Sequence, residues 1–373
     1  MSGSLLDRTG RAGAVGVAAE VAARHAVQAD IARRLPGEVV EALVAAGFVR
    51  HFVPTRWGGR AGGFGELLES VATVGEGCTS AAWIAAVASG AGRMGVCLPE
   101  EGQRELWAAG ADTVVVGALN PTGRATAVPG GWRLRGQWSL VSGVDFAEWA
   151  LICALTAEGD QEVARFFAVP RGAYRVADTW FNVGMCATGS NTLVVDDVFV
   201  PEHRSVTRDA IWQGRAVGSD ADCHTAPLRA ISGTLFAAPA LGAARAAVRA
   251  WSARMSGRGG PSTHAVLARA EGEIESAALL LRRVARSGDE GRAGADGARG
   301  PRDCALAAEF LVDAVERLFR SAGSGAQAQD DPLQRIWRDV HCVASHVALR
   351  FETAGGAYGS QLLGTPPAAT RTT

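Results

Sequence analysis

In the stretch GQWSLVSGVDFAEW, residues 136–149, one strand pattern ends and another begins. Its first half alternates, which places Trp138 and Leu140 on one face of a predicted strand and polar side chains on the other. The alternation ends at Ser142, and a wholly apolar run, WALICAL, begins at Trp149. A small hydroxyl and a glycine between two tryptophan-bearing strands would let a flat ligand approach the backbone closely. A plain hairpin turn with core tryptophans is the alternative interpretation, and the rest of the chain must decide.

The chain changes character on both sides of this stretch. From Asp112 to about Val206 short runs have a period of two or are continuously apolar, and turns rich in glycine and proline separate them. Elsewhere the apolar residues recur at helical spacing. We therefore predict an α+β fold. Its parts are an N-terminal helical domain at 1–111, a central β-barrel or sandwich at 112–206 and a C-terminal four-helix bundle within 207–373.

Two groups of predicted helices flank the β-region. Residues 79–92 (TSAAWIAAVASGAG) are apolar or small on nearly every face, which predicts a helix that is buried all round. The helices of the C-terminal bundle are predicted at 231–255, 263–287, 302–322 and 332–353.

Composition excludes several classes of function. The net charge of −1 does not favour nucleic acid or an anionic membrane as a partner. All 37 basic residues are arginine, so no lysine is available for a Schiff base. Seven scattered cysteines without a CxxC pair indicate a reduced, cytoplasmic chain without a zinc cluster. We expect no metal, no signal peptide and no apolar run long enough to span a bilayer.

Six stretches, in this order along the chain, resemble the acyl-CoA dehydrogenase fold family. Within that family the chain looks most like the oxygenase components of the two-component, or group D, flavin-dependent monooxygenases. The stretches are FVPTRWGG at 52–59, GALNPTGRA at 117–125, WSLVSG at 138–143, GMCATGSNTLVVDDVFVPEHR at 184–204, APALGAARAAV at 238–248 and PLQRIWRDVHCVASHV at 332–347. The resemblance implies reduced flavin (FMN or FAD) and O2 as co-substrates, and a flavin hydroperoxide that oxidises the substrate.

A separate NAD(P)H:flavin reductase is also implied. The glycine-rich loop at 52–63 contains Pro54 and has no buried strand before it, so it does not fit a dinucleotide fingerprint. Without a nicotinamide-binding segment the chain would depend on another protein for reduced flavin.

The position of the catalytic base separates the two activities of the family. Its dehydrogenases need a carboxylate that removes a proton beside a thioester carbonyl, and counting from Arg338 places the usual position at Val347. The minority position, one helix earlier, falls at Ser232-Gly233, and neither place carries an acid. Without such a base, dehydrogenation loses about two to four orders of magnitude in rate. The oxygenase interpretation is therefore favoured, and a desaturase with a displaced base or a non-catalytic paralogue are the alternatives.

The resemblance implies two catalytic residues. His346, expected on the last long helix on the same face as Asp339 and Cys342, would point at the flavin and the substrate. An imidazole that titrates near neutral pH would hydrogen-bond the hydroperoxide or take the proton of the substrate. Ser142 would hydrogen-bond the redox-active edge of the isoalloxazine and prevent the early loss of peroxide. A structural, half-buried histidine is the alternative for His346.

Further cofactor contacts are implied by the same resemblance. Around the ring they are Asn120, Trp138, Ser139, Val141 and Gly143, and at the far end they are Arg254, Gly323 and Gly325. Arg254 would reach a flavin phosphate on a neighbouring subunit, although an arginine can also simply solvate a helix end. Asn120 before a proline equally suits a turn.

The expected substrate is a bulky, apolar or aromatic molecule, oxidised at carbon or nitrogen, as in natural-product tailoring. Trp83 and Ala91 would line its pocket together with His346. Phenol hydroxylases of this branch usually carry a histidine where Ala91 stands, which puts a simple phenol in doubt. The residue after Met185 is usually arginine and is Cys186 here, so any charge contact made at that position is missing. The family assembles through its C-terminal bundle, so we expect a homodimer or homotetramer and no membrane or nucleic-acid partner.

Overall fold

The computed structural model describes residues 3–365, and the chain folds as helices, a sheet and more helices. The N-terminal helices are α1 (Gly3–Ala32), α2 (Gly37–Ala45), α3 (Phe64–Gly75), α4 (Thr79–Gly95) and α5 (Glu100–Leu106). The strands are β1 (Val115–Val128), β2 (Gly131–Val141), β3 (Trp149–Glu158), β4 (Gln161–Pro170), β5 (Arg175–Ala177), β6 (Asn191–Pro201) and β7 (Ser205–Thr207). The later helices are α6 (Arg208–Trp212), α7 (Asp222–Thr225), α8 (Leu228–Met255), α9 (Pro261–Asp289), α10 (Arg299–Ser321), α11 (Pro332–Ala344) and α12 (Phe351–Leu363). The predicted α+β fold class is confirmed.

The strands β1 to β7 belong to one curled sheet, in the order β5-β6-β2-β1-β3-β4-β7. The β1–β3 pair is parallel, and the other pairs of this sheet are antiparallel. Although β1 and β3 lie between β2 and β4, Trp132 of β2 and Phe167 of β4 have ring centroids 5.9 Å apart. In a flat sheet the side chains of β2 and β4 would be too far apart to touch, since neighbouring strands are spaced about 4.8 Å apart. The sheet therefore curls around its own core.

Helix α4 lies between this sheet and the helical bundle. Fourteen of its 17 residues are buried, which confirms the prediction of a helix enclosed on every face. It packs against α3 and α8 on one side and against β1 on the other. Its small residues permit this double contact, so a side chain on α4 can reach both the sheet and the bundle.

The helices α8, α9, α10 and α11 pack against one another as the predicted four-helix bundle. Helix α8 has 28 residues and a mean hydropathy of 1.3 over its most apolar window, so it is long and apolar enough to cross a bilayer. That corrects the expectation that no apolar run reaches this length. Because 72% of the window is buried inside the protein, α8 is the core helix of the bundle.

The prediction of one continuous helix from 332 to 353 was wrong. Helix α11 ends at Ala344, and the hydroxyl of Ser345 donates to the carbonyl of Cys342, 2.7 Å away. His346 then adopts an extended ψ of 135°, and its side chain accepts a hydrogen bond from the amide of Ala348. These local side-chain bonds offer the backbone partners outside the helix, which is how such residues end helices. His346 therefore lies in the connection between α11 and α12.

Candidate active site

A β-bulge in β2 lies immediately before Ser142. Trp138 of β2 pairs with Leu193 of β6 and Val141 pairs with Asn191, so two residues of β2 lie opposite one residue of β6. One of the two, Leu140, has a φ of +62° and is 64% exposed. A leucine in the left-handed region is costly, and such backbone conformations concentrate at functional sites.

Three residues that are distant in the sequence meet beside Ser142. The indole N–H of Trp83, on α4, donates to the Ser142 hydroxyl over 3.0 Å. The Trp83 ring lies 5.6 Å from the ring of His346, edge to face. Phe236 of α8 stacks on His346 with centroids 3.9 Å apart. The sheet, α4, α8 and the α11–α12 connection thus each contribute one side chain to a single cluster.

His346 is a neutral hydrogen-bond donor in this environment. Burial lowers the pKa of its imidazole to about 4, so the prediction that it titrates near neutral pH was wrong. Its Nδ1 accepts the Ala348 amide over 3.2 Å, which leaves the single proton of the neutral ring on Nε2. The ring therefore offers an N–H to a ligand and has no free nitrogen with which to accept a proton.

A row of hydroxyls runs from Ser142 into the protein. The Ser142 and Ser190 hydroxyl oxygens are 2.8 Å apart, and those of Ser190 and Thr188 are 2.7 Å apart. Thr188 donates in turn to the carbonyl of Met185 over 2.8 Å. Ser190 and Thr188 are both buried, so the row is shielded from solvent.

Sequence reasoning missed Phe236, Ser190 and Thr188. The two hydroxyl residues belong to the 184–204 stretch that carries the resemblance, but their spacing alone gives no sign that they point at Ser142. Phe236 follows the helical apolar pattern of α8, so it looks like any other core residue.

The turn that carries Met185 is held by α11. The Asp339 carboxylate accepts the backbone N–H of Met185 over 2.6 Å, and Met185 has a φ of +55°. Arg338 donates to the carbonyl of Val183 and forms an ion pair with Asp30 over 2.8 Å. Burial raises the pKa of Asp339 to about 6. The Arg338-Asp339 pair therefore fixes the turn from which the hydroxyl row starts.

We predict that Asp339→Ala destabilises the protein by about 1–3 kcal/mol, since it leaves the buried Met185 amide without an acceptor. Asp339→Asn keeps an acceptor oxygen and is the matched control. The folded chain holds the Asp339 proton up to about pH 6, against 3.8 for the ordinary carboxyl. The wild type should therefore lose stability relative to Asp339→Asn as the pH rises from about 4 to 6. Urea unfolding of the three proteins across this range measures both effects; equal stability of the Ala and Asn variants would contradict the role of Asp339.

The ring-side residues implied by the resemblance are partly open to a ligand. Asn120 and Ser139 are exposed. They lie at the same end of the β1–β2 pair, because the Thr122 hydroxyl donates to the Gln137 carbonyl over 2.7 Å. Gly143, with a φ of +73°, is buried and forms the turn after Ser142.

Other residues that were predicted to contact a ligand are buried. The Trp138 side chain is 1% exposed, and its indole N–H donates to the Cys153 carbonyl over 2.6 Å inside the sheet. Val141 is fully buried, which leaves only its backbone for a ligand. Ala91 is 3% exposed and belongs to the core beneath the sheet. The side chains of Trp138 and Ala91 are therefore closed to a ligand in this arrangement of the site.

The residues predicted at the far end of the flavin form a second cluster. The Arg254 guanidinium forms an ion pair with Asp331, the cap of α11. A Cβ on Gly325 would lie 3.1 Å from Nη1 of Arg254, and Gly323, with a φ of +80°, is two residues away. Arg254 lies about five turns, or about 27 Å, beyond Phe236 on α8. The two clusters are therefore far apart within one chain.

These features fit a flat, partly apolar cofactor with polar edges. The exposed side chains of Leu119 and Leu140 lie next to Asn120 and Ser139 in the sequence, and Ser142 supplies a hydroxyl at the same end of the sheet. A narrow apolar cavity of about 20 Å³ opens beside Ser142 between α2, α4 and β1. That volume holds about one water molecule, so an aromatic substrate requires a movement of side chains or a place outside this cavity. Within residues 3–365, no group of three His, Cys, Asp or Glu side chains could hold a metal ion.

Comparison with known proteins places the chain among flavoenzymes. The family profile described as acyl-CoA dehydrogenase, C-terminal domain, matches residues 234–351. The chain is 32% identical to the FADH(2)-dependent resorcinol hydroxylase, oxygenase component, of Rhizobium sp. (strain MTP-10005), over 95% of this chain and 94% of that protein.

Two solved structures are similar over almost the whole chain. One is 3-HSA hydroxylase from Rhodococcus sp. RHA1, with a TM-score of 0.90, 28% identity and coverage of 96% of this chain and 98% of that one. The other is XiaF from Streptomyces sp. in complex with FADH2 and glycerol, with a TM-score of 0.91, 25% identity and coverage of 99% and 98%.

Proposed function

Because this chain belongs to the oxygenase components of the two-component flavin-dependent monooxygenases, on the acyl-CoA dehydrogenase fold, we propose that it hydroxylates a bulky aromatic substrate. The oxygen enters at carbon or nitrogen, and natural-product tailoring is the setting we propose. The similar proteins include hydroxylases of resorcinol and of 3-HSA, which supports an aromatic substrate.

A bound reduced flavin supplies the two electrons with which O2 is split, so that one oxygen atom enters the substrate and the other leaves as water. The residues of this chain hold and orient the reactants. We place the Ser142 hydroxyl at the polar edge of the flavin ring, with the backbones of Ser139 and Val141 along the ring and Asn120 beside it. His346 offers its Nε2–H to an oxygen of the substrate or of the bound dioxygen.

The observation that carries this proposal is the cluster of Ser142, Trp83, Phe236 and His346. No carboxylate takes part in the hydrogen bonds or ring contacts of these four residues in the described part of the chain. Val347, where most dehydrogenases of the family carry their base, is 65% exposed. A site built from aromatic faces and neutral donors suits oxygen transfer to a ring better than proton removal from a thioester.

The substrate lies, in our proposal, against Trp83 and the Phe236–His346 stack. Offset or edge-to-face contact with these rings stabilises an aromatic substrate by about 0.5–1.5 kcal/mol beyond its buried area. A substrate hydroxyl or amine at this place accepts the His346 N–H, which selects the orientation of the ring.

The far-end cluster supports an oligomeric enzyme. We propose that Arg254, with Gly323 and Gly325, binds the phosphate end of a flavin whose ring lies in a neighbouring subunit, because about 27 Å separates Arg254 from Phe236 within one chain. The assembly is then a homodimer or homotetramer formed through the bundle. A separate NAD(P)H:flavin reductase in the cytoplasm supplies the reduced flavin.

Anaerobic titration with FAD and FMN, each reduced with dithionite, tests this function. We expect at least one reduced flavin to bind, and NADH alone to leave added oxidised flavin unreduced. A subsequent mix with air and a panel of fused aromatic compounds should give hydroxylated product. Failure of both reduced flavins to bind would contradict the proposal and favour a non-catalytic paralogue.

A further inference from the structure

We propose that the buried hydroxyls of Ser190 and Thr188 fix the direction of the Ser142 proton, so that the site selects reduced over oxidised flavin. This inference rests on the proposed place of Ser142 at the polar edge of the flavin ring. It concerns two residues that contact neither flavin nor substrate in the proposed arrangement and act only through Ser142.

The carbonyl of Met185 sets the direction of the whole row. A carbonyl oxygen can only accept, so the Thr188 hydroxyl, 2.8 Å away, must donate to it. Thr188 has then used its only proton, and it accepts the proton of Ser190 across 2.7 Å. Ser190 in turn accepts the proton of Ser142 across 2.8 Å. The reverse direction would leave two oxygens 2.8 Å apart at Met185 with no proton between them.

Ser142 is left with nothing to donate. A hydroxyl has one proton and two lone pairs, and Trp83 Nε1 fills one lone pair over 3.0 Å. The remaining lone pair accepts from a ligand. Even if the Trp83 indole moves away on binding, Ser142 gains a second free lone pair and still no free proton.

The two redox states of a flavin differ at the atom that faces such a group. Reduced flavin carries a proton on N5, whereas N5 of oxidised flavin has only a lone pair. Ser142 held as an acceptor therefore forms a hydrogen bond with the reduced form, and with the oxidised form it opposes one lone pair to another. A polar group left without its partner in a desolvated site lowers affinity.

Several hydrogen bonds hold the backbone turn at Met185, where the row of hydroxyls ends, and they keep the direction of the hydroxyl hydrogen bonds fixed. Met185 donates its own amide to buried Asp339 over 2.6 Å, and its carbonyl also accepts the indole N–H of Trp180 over 3.0 Å. The Thr188 amide donates to the same carbonyl over 3.1 Å. Reversing the row would require this backbone turn to change its conformation.

Equilibrium binding of oxidised and reduced FAD, measured anaerobically by flavin fluorescence or absorbance, tests the inference. Ser190→Ala frees the Ser142 proton to point at the flavin, and Thr188→Val does the same by removing the acceptor of Ser190. We expect the ratio of the oxidised Kd to the reduced Kd to fall about tenfold in both, which is the factor that one hydrogen bond supplies. Tighter binding of oxidised FAD should account for most of the change.

Four further proteins complete the experiment. Thr188→Ser keeps the hydroxyl and should retain the wild-type ratio. Thr192→Val removes a nearby hydroxyl of β6 that pairs with Thr179 over 2.8 Å and is not joined to Ser142, so its ratio should also stay unchanged. In a Ser142→Ala background, Ser190→Ala should have no further effect on the ratio.

Two outcomes would overturn the inference. The first is a ratio within twofold of wild type in both Ser190→Ala and Thr188→Val while both variants still bind reduced FAD. The second is an equal fall in Thr192→Val. Absence of all flavin binding to the wild type is a different result, because it contradicts the proposed function itself.

Discussion

Ser142→Ala should release most of the consumed oxygen as hydrogen peroxide instead of inserting it into the substrate. The β-bulge and Gly143 lie on either side of Ser142 and place its hydroxyl in the cluster of Trp83 and His346. In the proposed arrangement it accepts an N–H of the reduced flavin. Loss of this hydrogen bond should lower the ratio of hydroxylated product to hydrogen peroxide by about tenfold.

The measurement is the ratio of hydroxylated product to hydrogen peroxide per reduced flavin consumed. We expect this ratio to fall at least about tenfold in Ser142→Ala. Ser142→Thr keeps a hydroxyl at the same position and should recover much of the ratio. A wild-type ratio in the alanine variant would show that Ser142 does not control the fate of oxygen.

His346→Ala should lower the rate of hydroxylation by about 100-fold, the size of the loss when one oriented donor is removed from an active site. His346→Gln carries an N–H near the place of imidazole Nε2 and should retain more of the rate than alanine. His341→Ala, which changes a half-exposed histidine on α11, is the matched control. Single-turnover product formation with reduced flavin already bound measures the three variants.

The pH profile separates a donor from a base at this position. Since the pKa of His346 is lowered to about 4, the ring keeps its donor form through the range from about pH 5.5 to 8. Protonation of the unfolded chain begins near the ordinary value of 6.5, so folding loses stability as the pH falls from 6.5 to about 4. A rate that drops on acidification with a midpoint near 6.5, and loses that midpoint in His346→Gln, would show that His346 acts as a base.

Sequence periodicity predicted the architecture correctly where a pattern allows only one stable structure. A helix such as α4, with small or apolar residues on every face, can be stable only when it is enclosed, and it is. Periodicity failed after Ala344, because the apolar spacing continues through residues 345–353 while the side chains of Ser345 and His346 end the helix locally. Those hydrogen bonds depend on backbone geometry that spacing does not encode.

The candidate site was predictable only in part. The family resemblance selected Trp83, Ser142 and His346, and the structure brings these three together from three separate elements. Trp138 shows the limit of that reasoning, since the alternation that predicts its strand also turns its side chain into the core. Phe236 contributes a ring contact across the fold, which one sequence cannot reveal.

In the proposed function, this site inserts an atom of O2 into its substrate and does not desaturate it. Mass spectrometry of the product formed under 18O2, with reduced FAD and a panel of phenols and fused aromatic compounds, distinguishes the two reactions. We predict a product that carries one 18O atom. A product that is two hydrogens lighter than its substrate and carries no label would contradict the proposed function and indicate dehydrogenation.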